Sequence, residues 1–243
     1  KKSRNQIKIN DMSKNILLVG GSTGIGYETA KRLQNDYNVN VASRKKGDLA
    51  ELNVTHHEFD VLEDDISNLD LPDQLDGLLY LPGTINLKPF KMMRSNVFED
   101  DMKINFLKLV DTTQALLDKL KASDQASIVY ISTVAVQTGM PFHTSVAAAK
   151  GAIEGFARSL AAEYAPNFRV NVIAPSLTNT PLANKLLGND KKKEKMDARH
   201  PLKRVAEAAD IAEMTTYLLT DKSSWMTGQV IGLDGGMSSL NIS

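Results

Sequence analysis

The chain has 243 residues, 42% hydrophobic and 24% charged, with 29 Lys and Arg against 29 Asp and Glu and no cysteine. Length and composition suit one globular domain with a sizeable core. Balanced charge argues against a partner that is nucleic acid or an anionic membrane, and the missing cysteines exclude disulfides, thiolate catalysis and cysteine-held metal, which fits a cytoplasmic protein with no metal site.

Residues 1–14 read as a polar, mobile N-terminal extension without the apolar core of a secretory signal. Residues 15–243 read as a single domain, beginning with NILLVG at 15–20, a short apolar run that suits a strand buried on both faces. A helix is predicted over 24–35, then strands at 39–43, 54–60 and 75–83, spaced as in βαβ units. One long helix is predicted over 97–121, a strand at 126–133, a helix over 145–165 and a strand at 168–174. A loop and charged helix run to about 200, forming a substrate lid near 180–202; a helix at 207–220 and a strand at 229–233 follow. This is an α/β fold, a doubly wound parallel sheet of about seven strands with helices on both faces. The charged run DKKKEK at 190–195 reads as a solvated helix face, or alternatively as an anion clamp. No apolar run approaches the roughly 18–20 residues that span a bilayer.

Gly20, Gly24 and Gly26 stand as G-x-x-x-G-x-G between the first strand and its helix. Such a turn brings backbone N–H groups and a helix N-terminus against a pyrophosphate. Ser22, Thr23 and Ile25, between the glycines, join the candidate contacts. Where a carboxylate after the second strand would accept from a ribose, this chain has Ser43, Arg44, Lys45 and Lys46. That cluster suits a 2′-phosphate, so NADP(H) is expected, with NAD(H) the alternative. Arg44 also reads as an ordinary loop charge. Asp60, with Val61 beside it, is placed to accept from an adenine amino group or to cap its own loop.

These motifs and their order resemble the short-chain dehydrogenases/reductases, and the likeness runs from Asn15 to Met237. Gly20 to Gly26 is similar to the family's T-G-x-x-x-G-x-G turn, and Tyr80-Leu81-Pro82-Gly83 stands at its N-N-A-G segment with only Gly83 kept. The resemblance implies that Asp60 binds adenine and that Asn105 holds a water of a proton relay through its backbone carbonyl. It implies further that Pro175, Thr178 and Thr180, in PSLTNT, close over the nicotinamide, with Ser176 in a glycine's place. The C-terminal WMTGQVIGLDGG implies a homo-oligomer, dimer or tetramer.

The family's catalytic set is a serine, a tyrosine thirteen residues on and a lysine four further on. Counting back from Lys150 gives Val146 and Thr133. Lys150 keeps its reach to ribose hydroxyls and Thr133 keeps a hydroxyl for a carbonyl oxygen, or is simply a buried strand threonine. Val146 supplies no phenol. His143, Ser145 and Tyr80 are the candidate substitutes, and His143 is preferred because imidazole titrates near neutral pH. Pocket walls are expected from 88–97 and 182–200. The expected function is therefore an NADP(H)-dependent oxidoreductase moving hydride to or from a carbonyl, alcohol or related small molecule, with an altered proton-transfer group. The alternatives are a catalytically lapsed NADP(H)-binding sensor or assembly subunit, and a different reaction in the same pocket.

Overall fold

The strand order explains where a ligand can sit. The computed structural model describes residues 14–241. β1 (Asn15–Val19) leads to α1 (Gly24–Leu33), β2 (Asn38–Ser43), β3 (Thr55–Glu58) and β4 (Gly77–Tyr80). Next come α2 (Ser95–Met102), a π-helical turn (Lys103–Leu107), α3 (Lys108–Ala115), α4 (Leu117–Lys121), β5 (Ala126–Ile131), α5 (Ala135–Thr138) and α6 (Thr144–Tyr164). β6 (Phe168–Pro175), β7 (Thr178–Asn179), α7 (Asn184–Leu187), α8 (Asp190–Ala198), β8 (Ala206–Glu207), α9 (Ala208–Leu219) and β9 (Val230–Leu233) follow.

Seven strands pair in the order β3-β2-β1-β4-β5-β6-β9, every pair parallel. The chain builds outward from β1 to β3, then returns to β4 on the other side of β1. At that reversal the connections leave in opposite directions, opening a crevice beyond the carboxyl ends of the strands. This is a Rossmann-type fold.

Alternation along each strand feeds two cores. Leu17, Val19, Ile128 and Tyr130 face one side and pack with Leu109, Ile153 and Ala157 from α3 and α6. Ile16, Leu18, Val129 and Ile131 face the other, with Ala30, Leu33, Ile211 and Leu218 from α1 and α9. Burial on both faces is why these strands read as continuous apolar runs.

Three expectations are corrected. The strands expected over 54–60, 75–83 and 126–133 are shorter, because pairing stops at Glu58, Tyr80 and Ile131 while the apolar pattern continues into loops. The single helix expected over 97–121 is broken, first by the π-helical turn around Asn105 and again at Leu116 (φ −94°, ψ 1°). Its side-chain period carries on through both breaks, which is why sequence alone joins the pieces. A parallel pair, β7 with β8, was not foreseen; two residues per strand are too few to show a period. The extension at 1–14 lies, but for Lys14, outside the described residues. No helix among the described residues is long and apolar enough to cross a membrane.

Arg169, at the start of β6, fastens the far end of α9 to the sheet. Its buried guanidinium donates to the carbonyls of Leu218 (3.3 Å), Thr220 (3.1 Å) and Ser223 (3.0 Å) and to Ser223 Oγ (2.6 Å). Arg169→Ala strands those acceptors in the interior, so urea unfolding should show a loss of about 3 kcal/mol, the scale of charged hydrogen bonds.

Candidate active site

The turn after β1 is built for close approach. Gly24 has φ +55°, a left-handed conformation suited to glycine. A Cβ on Gly26 would lie 2.5 Å from the Gly21 Cα, so only glycine lets α1 start this close beneath the turn. Thr23 caps α1 without a side-chain bond, and the first helical turn carries no acid. The N-terminal N–H groups and the positive end of α1 thus face the crevice without a competing carboxylate. Ser22 and Ile25 flank these glycines, and Ile25 reaches the cavity described below.

Arg44, Lys45 and Lys46 are exposed at the end of β2, which fits an anion-facing loop and an ordinary solvated one alike. Ser43 differs from expectation. It is buried, and its hydroxyl donates to the Lys45 carbonyl (3.0 Å) beside His56 Nε2 (3.0 Å), shaping the loop from below. His56 is a neighbour the sequence did not reveal. Asp60 takes up the capping role: its Oδ1 accepts from the Leu62 N–H (2.9 Å), next to half-turned, buried Val61.

Asn105, Gly83 and Lys150 converge. A Cβ on Gly83 would meet Asn105 Oδ1 at 2.7 Å and Lys150 Nζ at 3.3 Å. Asn105 is fully buried; its Nδ2 donates to the Asp101 carbonyl (2.8 Å) and to Thr84 Oγ1 (2.9 Å), and its Oδ1 accepts from the Thr84 N–H (3.3 Å). Asp101, also fully buried, accepts from the Thr84 hydroxyl and from Asn86 Nδ2 (2.7 Å), while its Oδ2 has no partner among the described residues. Sequence reading missed Asp101; its place one turn before Asn105 was the available signal.

Lys150 is buried on α6 and donates to the Ile131 carbonyl at the end of β5 (2.8 Å). Ser132 donates to Glu154 (2.6 Å) one turn further on, tying the same strand end to the same helix. Burial pulls the Lys150 ammonium down to about 8, opposed by the charge of Asp101. Thr133 is half-buried beyond the strand, and its Oγ1 accepts from the Ala135 N–H (3.3 Å), which leaves its proton uncommitted by that bond.

Thr133, Val146 and Lys150 line a cavity of about 580 Å³. Its other side is closed by Leu182, Leu186, Met196 and His200 from the segment expected as a lid. The near wall comes from Thr84, Ile85 and Leu87, not from 88–97 as expected, because the chain leaves the cavity at Lys88, whose N–H pairs with the Phe142 carbonyl. Pro175, Thr178 and Thr180 border it too, and the Thr180 methyl packs 3.1 Å from where a Gly24 Cβ would be, joining this segment to the glycine turn.

Two proposed phenol substitutes are ruled out by position. Tyr80 is buried away from the cavity with its hydroxyl donating to the Ile104 carbonyl (3.0 Å) in the π-helical turn, and burial pushes its pKa up. Ser145 points into α2, donating to the Val97 carbonyl (3.3 Å). His143 does border the cavity, half-buried at its rim, with Nδ1 on the Pro141 carbonyl (2.7 Å). A second histidine, unforeseen, sits deeper: His200, 2% exposed, with Nε2 2.9 Å from Ser176 Oγ.

A glycine-lined helix N-terminus opening beside a lysine-bearing cavity on a parallel sheet defines a Rossmann-type α/β protein with a ligand crevice at its switch point. A family model described as enoyl-(acyl carrier protein) reductase matches residues 20–238. A tropinone reductase homologue of Arabidopsis thaliana is 32% identical over 243 aligned positions, covering 92% of each chain. The chain belongs to the short-chain dehydrogenase/reductase family. A peroxisomal 2,4-dienoyl-CoA reductase of Saccharomyces cerevisiae is 38% identical over 149 residues, which span 61% of this chain and about half, 51%, of that one. The structure of ElxO with NADP bound is alike in fold, with a TM-score of 0.84 at 24% identity, over 94% of this chain and 100% of that one.

The depressed Lys150 pKa has a measurable consequence. An unfolded lysine titrates near 10.5 and the folded one near 8, so between those values the unfolded chain binds more protons and stability rises with pH. Below that window the buried ammonium costs on the order of 3 kcal/mol. The stability difference between Lys150→Met and the parent should therefore shrink by that order between pH 8 and 10.5 in urea titrations, whereas a parallel pH dependence of the two would mean that the lysine is solvated.

Proposed function

We propose that this protein is an NADP(H)-dependent oxidoreductase acting on a carbonyl, alcohol or related small molecule. The observation that carries the reading is convergence: Gly83, Lys150 and Thr133 line one largely apolar cavity, Asn105 packs behind Gly83, and Thr180 joins the cavity to the glycine turn. The glycines at 20, 24 and 26 fit a pyrophosphate over the N-terminus of α1, and Arg44 with Lys45 fits a 2′-phosphate. Asp60 and Val61 would border adenine. Lys150 would donate to ribose hydroxyls, and Pro175, Thr178 and Thr180 would border the nicotinamide. When bound, such a cofactor supplies or accepts a hydride.

Thr133 would hold the substrate oxygen by donating its free hydroxyl proton. We read Val146 as standing where the family has its tyrosine, so the proton must come from another group, and the cavity offers His143 at its rim and His200 inside. Val146 also favours the second reading, an NADP(H)-binding sensor or assembly subunit without turnover. We also infer a homo-oligomer, dimer or tetramer. Trp225, 99% exposed, and Leu240 offer apolar surface near the C-terminus for a second copy.

NADPH should bind more tightly than NADH. In fluorescence titrations Arg44→Ala should weaken NADPH roughly ten- to hundredfold while leaving NADH unchanged, since only the charged hydrogen bonds to the 2′-phosphate are lost. Equal affinities in the parent would overturn the cofactor assignment. Oxidation of NADPH with a ketone, an enone and a cyclic imine then separates the two functional readings: turnover of any supports the reductase, and a flat response with tight binding supports the sensor.

A further inference from the structure

Ser176 and His200 reach the cavity from distant parts of the chain. Ser176 follows the last residue of β6, where its N–H donates to the Leu233 carbonyl (3.2 Å), and the residue is 9% exposed. His200 follows α8. Oγ and Nε2 lie 2.9 Å apart, and both residues line the cavity that holds Thr133 and Lys150. His200 Nδ1 lies 2.9 Å from the Met196 carbonyl. A carbonyl only accepts, so Nδ1 must carry a hydrogen. In neutral His200, Nε2 is then an acceptor and the Ser176 hydroxyl donates to it. In the imidazolium, Nε2–H donates to Ser176 Oγ instead, and the serine hydrogen is released to the cavity.

We propose that Ser176 and His200 form the proton-delivery pair of this site, with Ser176 donating to the substrate oxygen and His200 resupplying Ser176. The inference rests on the reductase reading above and names the group that reading leaves open. In reduction, the carbonyl carbon gains hydrogen with its electron pair from the reduced nicotinamide, and the C–O π bond breaks toward oxygen. That oxygen takes the Ser176 proton as Oγ takes the Nε2 proton. Ser176 ends unchanged, His200 ends neutral, and solvent returns its proton. Alcohol oxidation runs the same transfers backward and needs neutral His200.

The charged groups around this pair come from three sides. Lys193, Lys195, Asp197 and Arg199 belong to α8 and the turn after it, and the charge of His200 acts on Asp197. Asp234 precedes Gly235, which packs against His200, and its carboxylate is held by the N–H groups of Gly236 and Ser238. Lys150 and His143 lie across the cavity. His143, at the wetter rim, has no serine between it and the cavity and serves as the rival.

The test uses Ser176→Gly, His200→Gln and His143→Ala with NADPH and a ketone, an enone and a cyclic imine. Ser176→Gly and His200→Gln should each lower kcat about 10²-fold or more without weakening NADPH, and together they should cost no more than the worse one alone. Parental kcat/KM for reduction should fall as pH rises through the His200 titration, a limb absent from Ser176→Gly. Nitrogen NMR of the cofactor-free protein gives an independent readout: neutral His200 should carry its hydrogen on Nδ1, and Ser176→Gly should move its titration. An active enzyme indifferent to Ser176→Gly, a loss confined to His143→Ala, or an Nε2–H tautomer overturns the relay alone. A parent that binds NADPH yet reduces none of the probes overturns the reductase reading and the relay with it. If His200→Gln does not fold, Ser176→Gly, which only removes atoms, decides the matter.

Discussion

Lys150 carries its ammonium into a place where water does little to solvate it, and the surrounding structure is organised by that constraint. A buried cation needs acceptors. The carbonyl of Ile131 supplies one at 2.8 Å, and it can do so because β5 ends there, leaving the carbonyl of its last residue facing α6. Ser132 and Glu154 then lock the same strand end to the same helix, so the ammonium and Thr133 keep a fixed relation across the cavity floor. Asp101, buried in α2 just before the π-helical turn, adds negative charge. Gly83 must be glycine here, because a side chain would displace either Asn105 or the lysine.

The π-helical turn joins fold to site. A regular helix through Lys103–Leu107 would put Asn105 and Asp101 in simple register and pair each carbonyl four residues on. The turn shifts that pairing, and the Tyr80 hydroxyl takes the Ile104 carbonyl. Tyr80 thereby anchors β4 beneath Gly83. Its burial, which removes it from proton transfer, is what holds the floor in place.

The sequence carried the parts of this design that local physics writes into it. Gly20, Gly24 and Gly26 are legible because backbone conformation and close approach demand glycine at fixed offsets, and β1 and β5 because two-sided burial leaves them mostly apolar, Ser127 being an exception whose hydroxyl donates to the Leu218 carbonyl. Lys150 and Thr133 are legible only through the resemblance, by counting the family's serine–tyrosine–lysine spacing along the chain. Asp101 was hidden because one buried carboxylate in a polar helix looks like a surface charge. The contact between Ser176 and His200 spans 24 residues. It depends on how α7 and α8 fold back over β6, and no local period encodes that return. The β7–β8 pair that fixes the return is only two residues long on each side.

That return also determines what the cavity can do with a valine at position 146. Val146 makes one more apolar wall between Thr133 and Lys150, so the polar groups that remain divide into two sets. One is the floor, where Thr133 and Lys150 offer a hydroxyl and an ammonium to the cavity, while Asn105 is packed behind Gly83 with its amide held by Asp101 and Thr84. The other is the inner wall, where Ser176 and His200 join a hydroxyl to an imidazole ring. A family tyrosine unites holding and proton transfer in one side chain beside the lysine. On the reading proposed above, Lys150 would hold the cofactor, and the exchangeable proton would lie on Ser176, one residue past the end of β6. On the proposed relay, proton transfer would be tied to the placement of α8: with Met196 and His200 seated, Ser176 has a partner, and a substrate that kept them apart would bind without one. On the same proposal, the cavity of about 580 Å³ would limit the size of what binds with α8 seated.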